Sequence, residues 1–288
     1  MTSSPVTDNA SPLSTNTPVA TTLGANTLSE PAPDDSSEWQ ALLARAAGSQ
    51  APGEGLPLTP ASPLQALYGP LCDARRAGPF VVGHLAQSLD GRIATLCGVS
   101  RWLSGAEDLL HTHRMRALCE AVVVGVTTVL LDDPQLTVRR CAGPNPVRVV
   151  IDPDRRLDGS QRLFHDESAP TLLLCGADRA VKGERLGLAE VVPVVREDCG
   201  LSPREICRVL ALRGLGSLLI EGGGITVSRF LAAGALNRLQ ITIAPVILGS
   251  GRPAIVLPTI TDLNNSLRPR TRRVMMGADV MIECDFDV

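Results

Sequence analysis

The 288-residue chain reads as an α/β fold: a mixed, mostly parallel sheet flanked by helices, preceded by a disordered N-terminal tail. Three observations carry that reading. Short continuous apolar runs recur from Gly78 onward, which is how strands buried on both faces look. Helical patterns separate those runs, and strand, helix, strand in alternation implies parallel pairs. The last stretch changes character, because Leu239–Leu248 and Val280–Phe286 read as strands with no helix between them, so an antiparallel edge or hairpin is expected.

Taken in order, residues 1–37 are dominated by Ser, Thr, Pro, Ala, Asn and Asp and contain no aromatic residue. Such a segment cannot offset its ordering entropy, so disorder is expected. Residues 38–47 place Trp39, Leu42, Leu43 and Ala46 at helical spacing and predict a short amphipathic helix. Gly48 to Pro63 is Pro/Gly-rich and reads as linker. Residues 1–65 are therefore assigned to tail and linker, and 66–288 to one folded body. Within the body, strands are expected at Val122–Val124, Val147–Ile151, Thr171–Cys175 and Leu218–Ile220. Ser104 to Glu107 and Ser202 to Glu205 both fit the capping box. After the second, Pro203 takes the first helical position, Ile206, Val209 and Leu210 make an apolar stripe, and Gly214 is placed to stop the helix. No internal repeat is present.

Composition removes several functions. Lys+Arg is 27 against Asp+Glu 30, so no basic excess argues for a nucleic-acid partner. No run of 18 apolar residues exists, so no membrane span is expected. The eight cysteines lack metal-ligand spacing and no secretory signal precedes the body, which predicts no metal, reduced thiols and a cytoplasmic location. Lys182 is the only lysine, leaving guanidinium as the main anion binder.

The most informative segment is Leu218 to Leu236, where a buried strand runs into three glycines and then a helix with Val227, Phe230 and Leu231 on one face. A strand, a glycine turn and a helix N-terminus together make an anion site, with backbone N–H groups of Gly223, Gly224 and Ile225 unpaired within the helix. A bare tight turn is the competing account. Glu221 favours a site, because a carboxylate at the C-terminal end of a buried strand lies where ligands of open α/β sheets bind. Gly125 to Pro134 repeats the logic, with Thr127 and Thr128 as hydroxyl donors and Asp132 and Asp133 as acids; a helix-ending turn is the plainer account there. A third junction, Ser88 to Arg92, leads to Gly98 to Trp102, where the tryptophan is either a stacking platform or a core anchor. His111 and His113 lie two apart on a helix and therefore on different faces. No activated nucleophile, dinucleotide fingerprint or Walker motif appears.

The segments FVVGHLAQSLDGRIA, GVSRWLSG, HRMRAL, AVVVGVTTVLLDDPQLTVR, PVRVVIDP and LLIEGGGITVSRFLAAGAL, in this order, closely resemble the reductase domain of riboflavin biosynthesis, the RibD C-terminal family. The resemblance covers about Pro79 to the C-terminus. It implies a dihydrofolate-reductase-like fold and NADPH-dependent reduction of the ribosyl group of 5-amino-6-(5-phosphoribosylamino)uracil, at C1′ of an opened, imine-like form. It assigns Ala86, Trp102, Thr128, Asp132, Gly223, Gly224, Ile225 and Thr226 to the cofactor, the turn continuing to Arg229. Ser100, Arg116, Leu136, Arg139 and Glu221 would bind the phosphoribosyl-pyrimidine, with Arg116 and Arg139 as paired cations for its phosphate, and Asp132 or Glu221 would supply the proton. The family's deaminase signatures are absent from this sequence. His84 stands where family segments reading LKLAxSLDG carry lysine, and is taken as a substrate contact that alters base preference. Pro153 replaces a common hydroxyl residue. Two alternatives follow, the same fold acting on another substrate and a non-catalytic binding protein whose tail recruits a partner. A homodimer is expected by family analogy.

Overall fold

The structure, a computed structural model, describes residues 36–48, 62–101, 103–197 and 200–286. The expectation of disorder for 1–35, most of the linker, and Trp102 lie outside the described residues. Six helices are described: α1 (Ser37–Ala46), α2 (Pro63–Ala77), α3 (Ala106–Leu118), α4 (Val126–Asp132), α5 (Pro203–Ala211) and α6 (Gly224–Ala232). The strands are β1 (Phe80–Ser88), β2 (Arg92–Thr95), β3 (Ala121–Gly125), β4 (Val147–Ile151), β5 (Thr171–Gly176), β6 (Arg185–Leu186) and β7 (Ala189–Val194). They continue with β8 (Arg196–Glu197), β9 (Gly200–Leu201), β10 (Ser217–Glu221), β11 (Arg238–Ala244), β12 (Gly251–Pro253), β13 (Arg270–Met276) and β14 (Asp279–Asp285).

Ten strands form one sheet in the order β13-β14-β11-β1-β10-β3-β4-β5-β7-β6. The seven from β11 to β7 are parallel to their neighbours. The edges are antiparallel, with β14 joining β11 to β13 at one side and β6 folding back on β7 at the other. The mixed, mostly parallel sheet expected from the apolar runs is thus present. Both of its faces are buried, and alternate residues of one strand serve different cores: Val122 and Val124 pack with α3 and α4, Ala121 and Val123 with α5 and α6. β7 and β13 are harder to read from the sequence. Pro193 interrupts β7, and it is tolerated because β6 pairs only with Glu190 and Ala189, leaving no described strand beside that proline's outer edge. β13 reads RTRRVMM, the charged texture of an edge strand.

The N-terminal helices belong to the body. Trp39 and Leu42 are fully buried, and the Trp39 indole N–H donates to the Ala142 carbonyl at 2.7 Å. Pro63, read as linker, opens α2 at its first helical position, and the Ser62 hydroxyl caps the helix by accepting from Gln65 N at 3.2 Å. Gly69 and Pro70 hide this helix in the sequence. Pro70 has no N–H for the carbonyl four residues earlier, Ala66, and that carbonyl instead accepts from Arg272 of β13 at 2.7 Å.

Neither capping box forms. α3 begins after Gly105, whose N–H donates to the Asp279 carboxylate at 2.6 Å, so a partner from β14 fixes the start that Ser104 was expected to fix. Ser202 is the N-cap of α5 but its side chain caps nothing, and Glu205 pairs with Arg208 at 2.8 Å. β11 ends at Ala244, before Pro245, rather than reaching Leu248.

Candidate active site

A cleft of about 1190 Å³ lies where the C-terminal ends of β1, β3, β4 and β10 meet the helices that follow them. This is where open parallel sheets bind ligands, and its volume exceeds that of a single drug-sized site. β2 and β12 pair antiparallel and form one wall, contributing Ala94, Arg252 and Pro253. Two turns meet at the floor: a side chain on Gly125 would lie 2.5 Å from the Thr226 hydroxyl, and one on Gly224 would lie 2.3 Å from the Ala254 carbonyl. Glycine is therefore required at both positions for the chain to close up.

No side chain caps α6. The Gly223 N–H, expected to be unpaired, donates to Thr128 Oγ1 at 3.2 Å, because α4 is packed against this turn. The N–H groups of Gly224 and Ile225 have no intrahelical acceptor and stand at the positive end of the helix dipole. Thr128 accepts one bond there and keeps its own hydroxyl proton for a ligand.

Glu221, at the end of β10, is gripped by Arg116 from α3. Arg116 Nε donates to Glu221 Oε2 at 3.0 Å, Nη2 donates to Oε1, and Nη1 donates to the Thr137 carbonyl at 3.1 Å. Such a fork fixes the carboxylate plane. Arg139, expected to pair with Arg116 around a phosphate, is not brought to it: Arg139 is exposed, bonds Thr137 Oγ1 at 2.7 Å and does not line the cleft. Leu136 is buried in a left-handed conformation, φ 57°, and also lies outside the lining. Ala86, Ser100 and Thr226 line the cleft.

His84 is almost fully buried on β1, with Nε2 3.4 Å from Asp108 Oδ1. Burial alone would lower its pKa, but Asp108 and, more weakly, Glu221 outweigh burial, and the value is raised. Burial alone would raise the Asp108 pKa; the charge and hydrogen bond of His84, with bonds from Thr242 (2.5 Å) and Ser104, hold it well below the usual carboxylate range. His84 Nδ1 is buried with no partner among the described residues. Behind this pair, His111 packs edge-on against the His84 ring at 5.2 Å. Its pKa is lowered to about 3 by burial and the neighbouring His84 charge, so it is neutral. It accepts from the Tyr68 hydroxyl at 2.7 Å and donates to Gln240 at 2.9 Å. His113 is likewise packed, not exposed, and accepts from Arg139 N at 3.0 Å.

The two neighbouring aspartates have different fates. Asp133 ends α4 with φ 38° and accepts from Arg162, which is the helix-ending account. Asp132 stands exposed on the cleft rim, its pKa raised by partial burial against the opposing charges of Arg101 and Arg252. The Asp90 turn is a fastening: the carboxylate accepts from Leu248 N at 3.0 Å and Gly249 N at 2.7 Å, tying the loop after β11 to the end of β1. Asp108 and Thr242 carry no sequence signal, since Asp108 reads as an ordinary first-turn acid.

Residues 79–280 match the family model described as the RibD C-terminal domain. A 2,5-diamino-6-ribosylamino-4(3H)-pyrimidinone 5′-phosphate reductase of Methanothermobacter thermautotrophicus is 36% identical over 216 residues, covering 71% of this chain and 97% of the relative. The riboflavin biosynthesis protein RibD of Aquifex aeolicus is 34% identical over 206 residues, covering 71% of this chain and 57% of that protein. Among solved structures, a Thermotoga maritima diaminohydroxyphosphoribosylaminopyrimidine deaminase/5-amino-6-(5-phosphoribosylamino)uracil reductase superposes with a TM-score of 0.61 at 29% identity, covering 77% of this chain and 62% of that one. The chain therefore spans less than two thirds of those two bifunctional-length relatives.

Proposed function

Because the chain belongs to the RibD C-terminal domain family, we propose that it is an NADPH-dependent reductase of 5-amino-6-(5-phosphoribosylamino)uracil, converting the ribosyl to a ribityl side chain in riboflavin synthesis. The observation that carries this reading is the meeting, in one cleft, of an uncapped glycine-turn helix with three charged groups, the Arg116–Glu221 fork, the His84–Asp108 pair and Asp132.

NADPH, when bound, supplies the hydride. The donors available for its diphosphate are the first-turn N–H groups of α6 with the hydroxyls of Thr128 and Thr226. The Glu221 carboxylate, its plane set by Arg116, can accept from N–H groups of a pyrimidine. Asp108 favours the protonated form of His84, in which Nδ1–H can donate to a pyrimidine carbonyl. That contact accounts for a buried nitrogen with no partner among the described residues, which would otherwise be destabilising. Asp132 is the better proton donor for opening the sugar, because its carboxyl is raised in pKa, whereas Glu221 is committed to a guanidinium. Orientation of the two reactants supplies most of the remaining rate.

A second reading keeps the site and changes the base. His84 in the lysine position presents one fixed donor rather than a mobile ammonium, so the aminated diaminopyrimidinone phosphate, the compound for which the Methanothermobacter relative is named, competes as substrate. The test is oxidation of NADPH by the purified protein with the deaminated and aminated phosphoribosylamino-pyrimidines separately. Turnover of the uracil form upholds the proposal, turnover of the aminated form alone moves the chain to the second reading, and turnover of neither overturns both.

A further inference from the structure

One register row of the sheet carries an unbroken line of polar side chains under α2 and α3. Glu221 of β10 lies opposite His84 of β1, His84 opposite Gln240 of β11, Gln240 opposite Glu283 of β14, and Glu283 opposite Arg272 of β13. With neighbouring strands about 5 Å apart, the row runs from the cleft to the edge of the sheet. His84, Gln240 and Glu283 are all buried. Gln240 alone in the row has no titratable group.

His111 of α3 sits over this row with its ring 5.2 Å from that of His84, and both imidazoles feel the charge of Asp108. A second imidazolium at that distance is repelled, so one carboxylate serves one ring. The groups facing His84 are Asp108, Arg116 and His111 from α3 and Glu221 from β10. Those facing His111 are Tyr68 from α2, Asp108 and Arg114 from α3, His84 from β1 and Gln240 from β11. With His84 protonated and His111 neutral, the charges of Arg116, Glu221, His84 and Asp108 cancel. Hydrogen bonding makes the choice between the rings. The Glu283 carboxylate, held by Arg272 at 2.8 Å, only accepts, so Gln240 turns its amide nitrogen to it at 2.8 Å and its carbonyl to His111 Nε2 at 2.9 Å. Nε2 therefore carries the hydrogen, and Nδ1 is left to accept from the Tyr68 hydroxyl at 2.7 Å. Burial raises the Tyr68 pKa and keeps that donor protonated. A bond donated to Nδ1 favours the neutral ring.

We infer that Gln240 is a positioning residue for pyrimidine recognition: as a neutral spacer it keeps His111 uncharged and so leaves the Asp108 counter-charge to His84. The role rests on the pyrimidine contact proposed for His84. What matters is where the row's carboxylate stands. A carboxylate one strand nearer would accept from His111 Nε2–H directly, charge that ring and oppose a proton on His84.

The test exchanges the two side chains, Gln240→Glu with Glu283→Gln, which conserves composition and volume and moves the carboxylate one strand toward His111. Imidazole nitrogen NMR shifts of the full chain, which has four histidines, are followed against pH without substrate. In the unmodified protein His111 is expected to remain a neutral Nε2–H ring throughout the range in which His84 titrates; a protonated or Nδ1–H His111 overturns the inference without any variant. In the exchanged protein the His84 midpoint is expected to fall by about one to two pH units. KM for 5-amino-6-(5-phosphoribosylamino)uracil is expected to rise about tenfold near neutral pH, with kcat and NADPH affinity retained. A His84 midpoint that stays in place overturns the inference. A shifted midpoint with unchanged KM removes the pyrimidine contact and the role of Gln240 with it, while turnover upholds the reductase reading. Turnover of neither pyrimidine by the unmodified protein overturns that reading and the role together.

Discussion

Glu221 and Asp132 lie in the same cleft, yet their surroundings assign them different work. Glu221 and Arg116 are mutually dependent, so Glu221→Gln leaves a nearly buried guanidinium without its counter-charge and is expected to cost about 3–5 kcal/mol of stability along with activity. Asp132 is exposed, so Asp132→Asn is expected to leave the thermal midpoint nearly unchanged and to lower kcat by about 10²–10⁴. Denaturant melts and steady-state kinetics on both variants check the assignment; equal loss of kcat with no difference in stability would reverse it. His84→Ala removes the proposed pyrimidine donor and the charge partner of Asp108, and is expected to raise KM for the pyrimidine at least about tenfold. The glycine turn and Glu221 were legible in the sequence because strand, turn and helix are contiguous. Asp108 was not, since only the packing of α3 against β1 and β11 brings it to His84 and Thr242.

Helices α1 and α2 show how an element can be silent in sequence and still hold the body together. The Trp39 pattern was readable from helical spacing, but α2 was hidden by Gly69 and Pro70, and its burial depends on partners far along the chain. Trp39→Ala is expected to cost about 3–5 kcal/mol in a denaturant melt. Removal of residues 1–35 should leave stability and activity in place, whereas removal of 1–65 takes away α1 and the Ser62 cap and should destabilise the protein severely. Arg272 compensates for Pro70 by bonding the Ala66 carbonyl, and it also donates to Glu283 at 2.8 Å. Arg272→Ala is therefore expected to cost about 1–3 kcal/mol, and Pro70→Ala, which returns an N–H to Ala66, should recover part of that in a double-mutant cycle. Strict additivity would refute the compensation.

Across the whole molecule, buried imidazoles give stability a direction in pH. His111 and His113 both have pKa values lowered to about 3, chiefly by burial, while an unfolded histidine titrates near 6.5. Between those values the unfolded chain binds more protons, so stability rises with pH by up to about 1.4 kcal/mol per unit for each. His84 runs the other way: its raised pKa adds stability that is fully present below the unfolded value and is lost as pH rises through the folded one. Two lowered groups outweigh one raised group, and thermal midpoints are expected to fall steadily on acidification below the ordinary histidine range. His113→Asn, which keeps an acceptor for Arg139 N, should flatten that fall; an unchanged slope would remove His113 from the account. No helix among the described residues is long and apolar enough to cross a membrane.

The sequence by itself determined the mixed sheet, the positions of its buried strands and the glycine turn into α6, because apolar runs and glycine sterics act over a few neighbouring residues. It also carried the family motifs. Tertiary structure decided which charges meet. Arg116 reaches Glu221 across 105 positions, and Arg139, which lies close to Arg116 in sequence, stays outside the cleft. It likewise decided that Asp279 rather than Ser104 starts α3, and that Arg155 pairs with Glu184. Charge pairing and helix capping depend on distances of a few ångströms between remote elements, and no local pattern encodes those distances.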